Sequence, residues 1–307
     1  MTAMTISDHE LETTALDRRV HAVLHCNVNT PVLAESADFL TRLGLVERMR
    51  SVSDDTDGRP LGLGEHTSST TAFHYDGRGP RSAPAIELVG WREPTVVARE
   101  VATKSHTLGF EAIGLRTPQP AALSPGVTEM TEVVVRGRRV AAWMASDPAG
   151  GPVELIQVDP SAVVDEPDGA KFSHVRLVSS DLERTAAWWQ QLGFEPVPNA
   201  PAGALSLVAA EDPTFSIEFR HDPGAVRPDW HANTAGLYRI ALAVEDVVRA
   251  HHALLDLGAD IPEPVFIPMV DTPTGGFTVL FLADPDGAVV ELVSRPRSEV
   301  RRPTQPC

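Results

Sequence analysis

The 307-residue chain is about twice the ~150 residues of a typical domain, so two compact units or one large one are expected. Its 42% hydrophobic and 22% charged residues are globular proportions, and no apolar run approaches the ~18 residues that span a bilayer. A formal net charge of -16 would repel phosphate backbones and anionic lipid, which argues against nucleic acid or a membrane surface as partner.

Cys26 and Cys307 are the only cysteines, too few for a disulfide framework or a cysteine zinc site. Residues 1–19 carry Asp8, Glu10, Glu12 and Asp17 where a secretory signal needs a basic start and an apolar run, so the cytoplasm is the expected location. Residues 1–19 and 296–307 read as flexible tails.

In chain order, four segments open with a short, half-buried alternating strand, over 20–29, 110–117, 172–179 and 237–244. Three continue into a helix, over 32–43, 181–192 and 246–257, each closed by Leu-Gly at Gly44, Gly193 and Gly258. The second segment has a proline-broken stretch over 118–125 instead. Counting back 18 residues from Leu43, Leu192 and Leu257 lands on His25, His174 and Arg239. The heptapeptide GFEAIGL starting at Gly109 matches GLYRIAL starting at Gly236, which sets Ala112 opposite Arg239.

Each segment ends in an apolar strand interrupted by one glutamate: Glu87, Glu154, Glu218 and Glu291. Asp147-Pro148 and Asp284-Pro285 each stand seven residues before their glutamate, so segments 2 and 4 are the closest pair, while 1 and 3 share their openings. The pattern is a tandem repeat of strand, helix and several strands, with a Pro/Asp-rich connection over 159–169. Such a segment cannot bury its sheet alone and should pair with another. The expected class is α+β, with two cupped mixed sheets and helices outside.

These residues resemble the vicinal oxygen chelate superfamily, which includes glyoxalase I, bleomycin-binding proteins, extradiol dioxygenases and several epimerases. The resemblance covers roughly residues 20–295. It implies βαβββ modules paired into open cup-like barrels, with metal ligands on the first and last strands. The first-strand slots would be His25, Ala112, His174 and Arg239; the last-strand slots would be Glu87, Glu154, Glu218 and Glu291.

If adjacent modules pair, residues 20–158 form one domain offering His25, Glu87 and Glu154 to a metal. Residues 170–295 then form another, with His174, Glu218 and Glu291 beside Arg239. If module 1 pairs with 4 and 2 with 3, His25, Glu87 and Glu291 share a site with Arg239, while His174, Glu154 and Glu218 make the cleaner set. Both pairings stay open. Arginine cannot ligate a metal, so Arg239 would pair with the glutamates or clamp a substrate anion.

A buried glutamate is costly unless a metal, an arginine, hydrogen bonds or a proton compensates it. Strand alternation places Asn27 and Asn29 on the His25 face, turns Cys26 the other way, and leaves Trp143 either lining a barrel or packing in the core. His66 and His74 could supply a second imidazole. His251 and His252 fall on a helix and read as solvated, and at least one of Trp188 and Trp189 as core.

The resemblance implies a small-molecule enzyme whose divalent ion (Fe, Mn, Ni, Co or Zn) acts as Lewis acid on vicinal oxygens, in isomerase, epimerase or lyase chemistry. Glu154, Glu291, His174 and Arg239 would be its catalytic groups, Asn27, Trp143 and Arg239 its substrate contacts, and secondary metabolism a natural setting. The alternatives are a metal-free binding or self-resistance protein that sequesters a natural product, a metal-free enzyme using Arg239 and His174 on an anionic substrate, and an Fe(II) extradiol-type dioxygenase. The last normally needs two histidines and a carboxylate. The expected partner is a small molecule, and the chain a monomer or homodimer. No nucleophile elbow, phosphate loop or HExxH motif supports hydrolase, NTPase or zincin chemistry.

Overall fold

A computed structural model of the protein describes residues 15–99, 106–123, 130–158, 169–269 and 271–303. The 159–169 connection therefore lies, except for Gly169, outside the described residues. Among the described residues sixteen strands run β1 (Ala22–Asn29), β2 (Val46–Thr56), β3 (Thr67–Tyr75), β4 (Ala85–Glu93), β5 (Gly109–Thr117), β6 (Met130–Val135), β7 (Arg138–Ser146), β8 (Pro152–Gln157), β9 (Lys171–Ser179), β10 (Phe194–Pro196), β11 (Ala204–Ala209), β12 (Asp212–His221), β13 (Gly236–Val244), β14 (Val265–Pro268), β15 (Gly276–Ala283) and β16 (Val289–Ser294). The helices are α1 (Leu33–Arg42), α2 (Pro120–Leu123), α3 (Leu182–Gln191) and α4 (Val247–Leu255). Among the described residues no helix is long and apolar enough to cross a membrane.

Local chemistry explains the boundaries. Asp181 and Asp246 cap α3 and α4, each side chain accepting from two backbone N–H groups of the first turn. Gly44, Gly193 and Gly258 end the three long helices at φ of +92°, +88° and +83°, a region that disfavours a Cβ. The prolines around 118–125 leave α2 a single turn.

The strands form two eight-stranded sheets. The first runs β14-β15-β16-β13-β1-β4-β3-β2 and the second β10-β11-β12-β9-β5-β8-β7-β6. Their central seams are antiparallel, β1 with β13 and β5 with β9, while each module's first and last strands pair in parallel. Module 1 thus joins module 4, and module 2 joins module 3. The sheets do not follow the sequential division into 20–158 and 170–295, because both seams, β1 with β13 and β5 with β9, join a module from one side of that division to a module from the other.

One core fills the convex side of both sheets. Cys26, Ile86 and Ile240 of the first sheet and Leu115, Val175 and Phe219 of the second join the same buried cluster as Trp189 of α3. Trp189 is core, as the helix reading required, and Trp188 packs half-buried at its edge. The concave faces carry smaller apolar groups, Ala241, Val279 and Val293 in the first cup and Val135, Ala142 and Ile156 in the second.

Two equivalent clasps tie the sheets together. Asp76 accepts from Phe172 N–H at 3.0 Å and from Arg78 at 2.7 Å, and Arg78 also donates to Phe172 C=O at 2.8 Å. On the other side Asp212 accepts from Val23 N–H at 2.9 Å and Arg302 Nε at 3.0 Å, and Arg302 Nη2 donates to Val23 C=O. The reading of both ends as free tails therefore needs correction where they are described. Residues 296–303 are held by Arg302 and by Arg297, which bonds Glu211 and Glu245. Residues 15–17 form a helical turn, followed by Arg18 donating to Gln191 C=O.

Candidate functional site

The sheet register brings the eight slots into four equivalent places. Glu87 lies beside Asn27, Glu154 beside Gly114, Glu218 beside Arg176 and Glu291 beside Ala241, in each case two residues past His25, Ala112, His174 or Arg239. A side-chain period of two puts each slot and its +2 neighbour on one face, so all eight point into the cups.

In the first cup Arg239 bridges two carboxylates. Its Nε donates to Glu291 Oε2 at 2.7 Å and its Nη2 to Glu87 Oε2 at 2.9 Å. His25 Nε2 faces the same two oxygens at 3.7 and 3.4 Å, and its ring meets Phe73 edge-on. Burial raises the Glu291 pKa, but Arg239 and His25 outweigh it and hold the carboxyl at about 2. Burial likewise lowers the Arg239 pKa, and Glu87 and Glu291 more than reverse it. Asn27 is wholly buried, with neither amide atom hydrogen-bonded.

In the second cup Arg176 clamps Glu154 with two bonds, Nε to Oε1 at 2.6 Å and Nη2 to Oε2 at 2.8 Å. His174 Nε2 meets Glu154 Oε2 at 3.0 Å, and Nδ1 lies 2.9 Å from Ser173 Oγ. Against the burial that raises it, these partners bring Glu154 to about 2. Glu218 instead fastens the barrel: it accepts from Ser206 and Ser216, both at 2.5 Å, and from Arg136 N–H at the β6–β7 turn, 2.9 Å. Gly114 leaves room for the His174 ring, since a Cβ there would stand 2.0 Å from it. Gly114→Ala is expected to cost about 3 kcal/mol in urea unfolding through overpacking; a loss below about 1 kcal/mol would show that the ring can move aside.

Both metal sets written for adjacent-module pairing are split between sheets. His25 and Glu87 lie in the first with Glu154 in the second, and His174 and Glu218 lie in the second with Glu291 in the first. The assembled groups are His25, Glu87, Glu291 and Arg239, and His174, Glu154 and Arg176 with Glu218 alongside. Arg176 was absent from the sequence expectations, although alternation from His174 already aims it into the cup. Trp143 pairs with Leu155 and packs on the convex core, so Met144 takes the cup position. Asn29 is committed to Ala232 and Thr234 C=O and to the Trp91 N–H. His66 is exposed beside Asp55, while His74 stands one residue from Phe73, on the opposite face from Glu87; neither joins a cup. His252 is exposed as expected, but His251 is buried, because its helix face packs on the core.

Neither group fits the divalent ion that the resemblance implies. In each cup a guanidinium takes the carboxylate oxygens an ion would use. Even a single positive charge about 4 Å from it is repelled by ~4 kcal/mol at an effective dielectric of about 20. Among the described residues no three His, Cys, Asp or Glu side chains converge as a ligand set.

The second cup holds a pocket of about 510 Å³, with Glu154, Arg176 and Ala112 at its floor and Val133, Met144 and Pro201 on its walls. Its rim arginines are paired, Arg220 with Glu111 and Arg139 with Glu132. A larger hollow of about 670 Å³, lined by Trp188, Tyr238 and Leu257, contains none of the slot residues.

Residues 171–292 match the family model described as the Glyoxalase/Bleomycin resistance protein/Dioxygenase superfamily. No curated protein matches the chain. Among solved structures, glyoxalase I from Zea mays is 21% identical, with 92% of this chain and 93% of that one covered at a TM-score of 0.62. A candidate dioxygenase from Bacillus subtilis is 14% identical, with 94% and 93% covered at a TM-score of 0.60. At these identities the likeness is one of fold, two curled eight-stranded sheets with few helices. Residues 171–292 are thus similar to that superfamily, and the chain as a whole shares the fold of glyoxalase I.

Proposed function

We propose that the protein binds a small organic molecule in the pocket of the second cup, without a divalent ion. The observation that carries this reading is the Arg176–Glu154 pair at the floor of that pocket. It offers a fixed polar anchor beneath apolar walls, in a volume ordinary for small-molecule sites. Glu154, held at about 2, is a poor proton acceptor near neutrality, which favours binding over proton transfer by that group. The metal-assisted isomerase reading is set aside because the donor groups are engaged by arginine.

Anilinonaphthalene sulfonate, a flat apolar anion, is a suitable probe. It should bind at one saturable site, indifferent to EDTA, and Met144→Trp should weaken it by about tenfold or more with the fold retained. Binding unchanged by Met144→Trp, or abolished by EDTA, would sink the proposal.

A second reading, acid–base catalysis in the first cup, rests on His25 Nε2, which is buried with no hydrogen-bond partner. On that reading His25→Gln would abolish turnover of an anionic substrate while leaving its binding intact.

A further inference from the structure

The hollow of about 670 Å³ has a chemistry that the second-cup pocket lacks. Three aromatic side chains line it: Trp188 on α3, Tyr238 on β13 and Phe281 on β15, so modules of both sheets contribute. Trp188 is fixed by its neighbour, since the Trp189 ring is fully buried and meets it edge-on with centroids 5.3 Å apart. The volume is ordinary for a small-molecule site.

Charge narrows what fits. Among the described residues no lysine, arginine or histidine lines the hollow, and the one charged side chain that does is Asp260, exposed in the connection between α4 and β14. Arg239, next to Tyr238 in the chain, is already balanced by Glu87 and Glu291. The second-cup pocket differs: Arg139, Arg176 and Arg220 face Glu132, Glu154 and Glu111 there, one for one. Aromatic faces beside a carboxylate attract a cation, and a chain with a net charge of -16 concentrates cations at its surface.

We propose that the hollow is a second binding site, separate from the second-cup pocket, for an apolar organic cation. A flat aromatic body would lie among Trp188, Tyr238 and Phe281, with its positive charge towards Asp260. An organic anion is disfavoured, because it would meet Asp260 and no lining cation. The sulfonate probe of the second cup therefore does not compete for this site, and either proposal can fail without the other.

N-methylphenanthridinium and phenanthridine share one flat frame and differ in charge near neutral pH, so equilibrium dialysis of both against the full chain tests the proposal. The cation should bind at one equivalent with a Kd of about 100 μM or below, and phenanthridine at least about fivefold more weakly. Anilinonaphthalene sulfonate at saturation should not displace it. Ala283 lines the hollow from an exposed position, so Ala283→Trp fills the space and should weaken the cation by about tenfold or more. Asp260→Lys should weaken it by about tenfold through charge. No binding up to about 1 mM, phenanthridine as tight as the cation, displacement by the sulfonate, or binding unchanged in Ala283→Trp would each overturn the site. Should Ala283→Trp not fold, Asp260→Lys decides alone, and unchanged binding there overturns it.

Discussion

Replacing Arg302 with alanine is expected to lower the free energy of unfolding by about 3–5 kcal/mol, a large effect for a residue five positions before Cys307. Asp212 is fully buried, and Arg302 is the cation that pairs with it. With the guanidinium gone, Asp212 keeps Val23 N–H and the Thr214 hydroxyl as donors but holds a buried charge with no counter-ion. Val23 C=O loses its Arg302 donor as well. Urea unfolding measures the loss. The paired neutral change Asp212→Asn with Arg302→Met should cost less than Arg302→Ala, since removing both charges leaves none stranded. A loss below about 1 kcal/mol for Arg302→Ala would mean that the C-terminal segment does not anchor the sheets. Arg78→Ala should behave similarly, because Asp76 and Phe172 repeat the arrangement.

Acid should unfold the protein through its cups. Glu154 and Glu291 sit at about 2 in the folded chain, against the ordinary glutamate value of 4.5. A depressed carboxyl contributes stability that is fully present above its unfolded pKa and is lost as pH falls through its folded one. The window therefore runs from about pH 5 down to about 2, with each group giving about 3 kcal/mol. Asp284 works in the opposite sense. Burial raises it to about 6, so its penalty is complete above that pH and disappears as pH falls towards 4. Together these groups place the optimum near pH 4–5, with a steep decline below. Glu154→Gln should be less stable than the parent at pH 7 yet lose less between pH 5 and 3. A parent whose stability is flat over that interval would contradict the assignment.

The strands, helices and slots were readable in the sequence because each depends on neighbours along the chain. Alternation, the Leu-Gly stops and the capping Asp181 and Asp246 act within a turn or two. The place of each glutamate inside an apolar strand is likewise a local property. Pairing of the modules was not readable, since β1, β5, β9 and β13 offer similar apolar edges and only the assembled seams distinguish them. Arg239 stands in a ligand slot, which singles it out in the sequence, whereas Arg176 stands two residues past one, where nothing local sets it apart from any other strand residue. Glu218 kept its register but bonds the turn at Arg136, a partner 82 positions away that no local pattern reveals. The two clasps are not legible in the sequence for the same reason: Asp212 and Arg302 acquire meaning only when β1 of the other sheet lies between them.

The order of pairing has a consequence for how the chain is made. Every strand of the second sheet lies between residues 109 and 221, inside the sequence that separates the two halves of the first. A ribosome therefore finishes the inner sheet first, while β1 has emerged with one edge bare and waits for β13, where Ala22 meets Ala243. Contacts this distant in sequence slow folding, and a bare strand edge in the interval invites pairing with other chains. Newly made copies are thus most exposed to aggregation after the inner sheet has closed and before the outer one can.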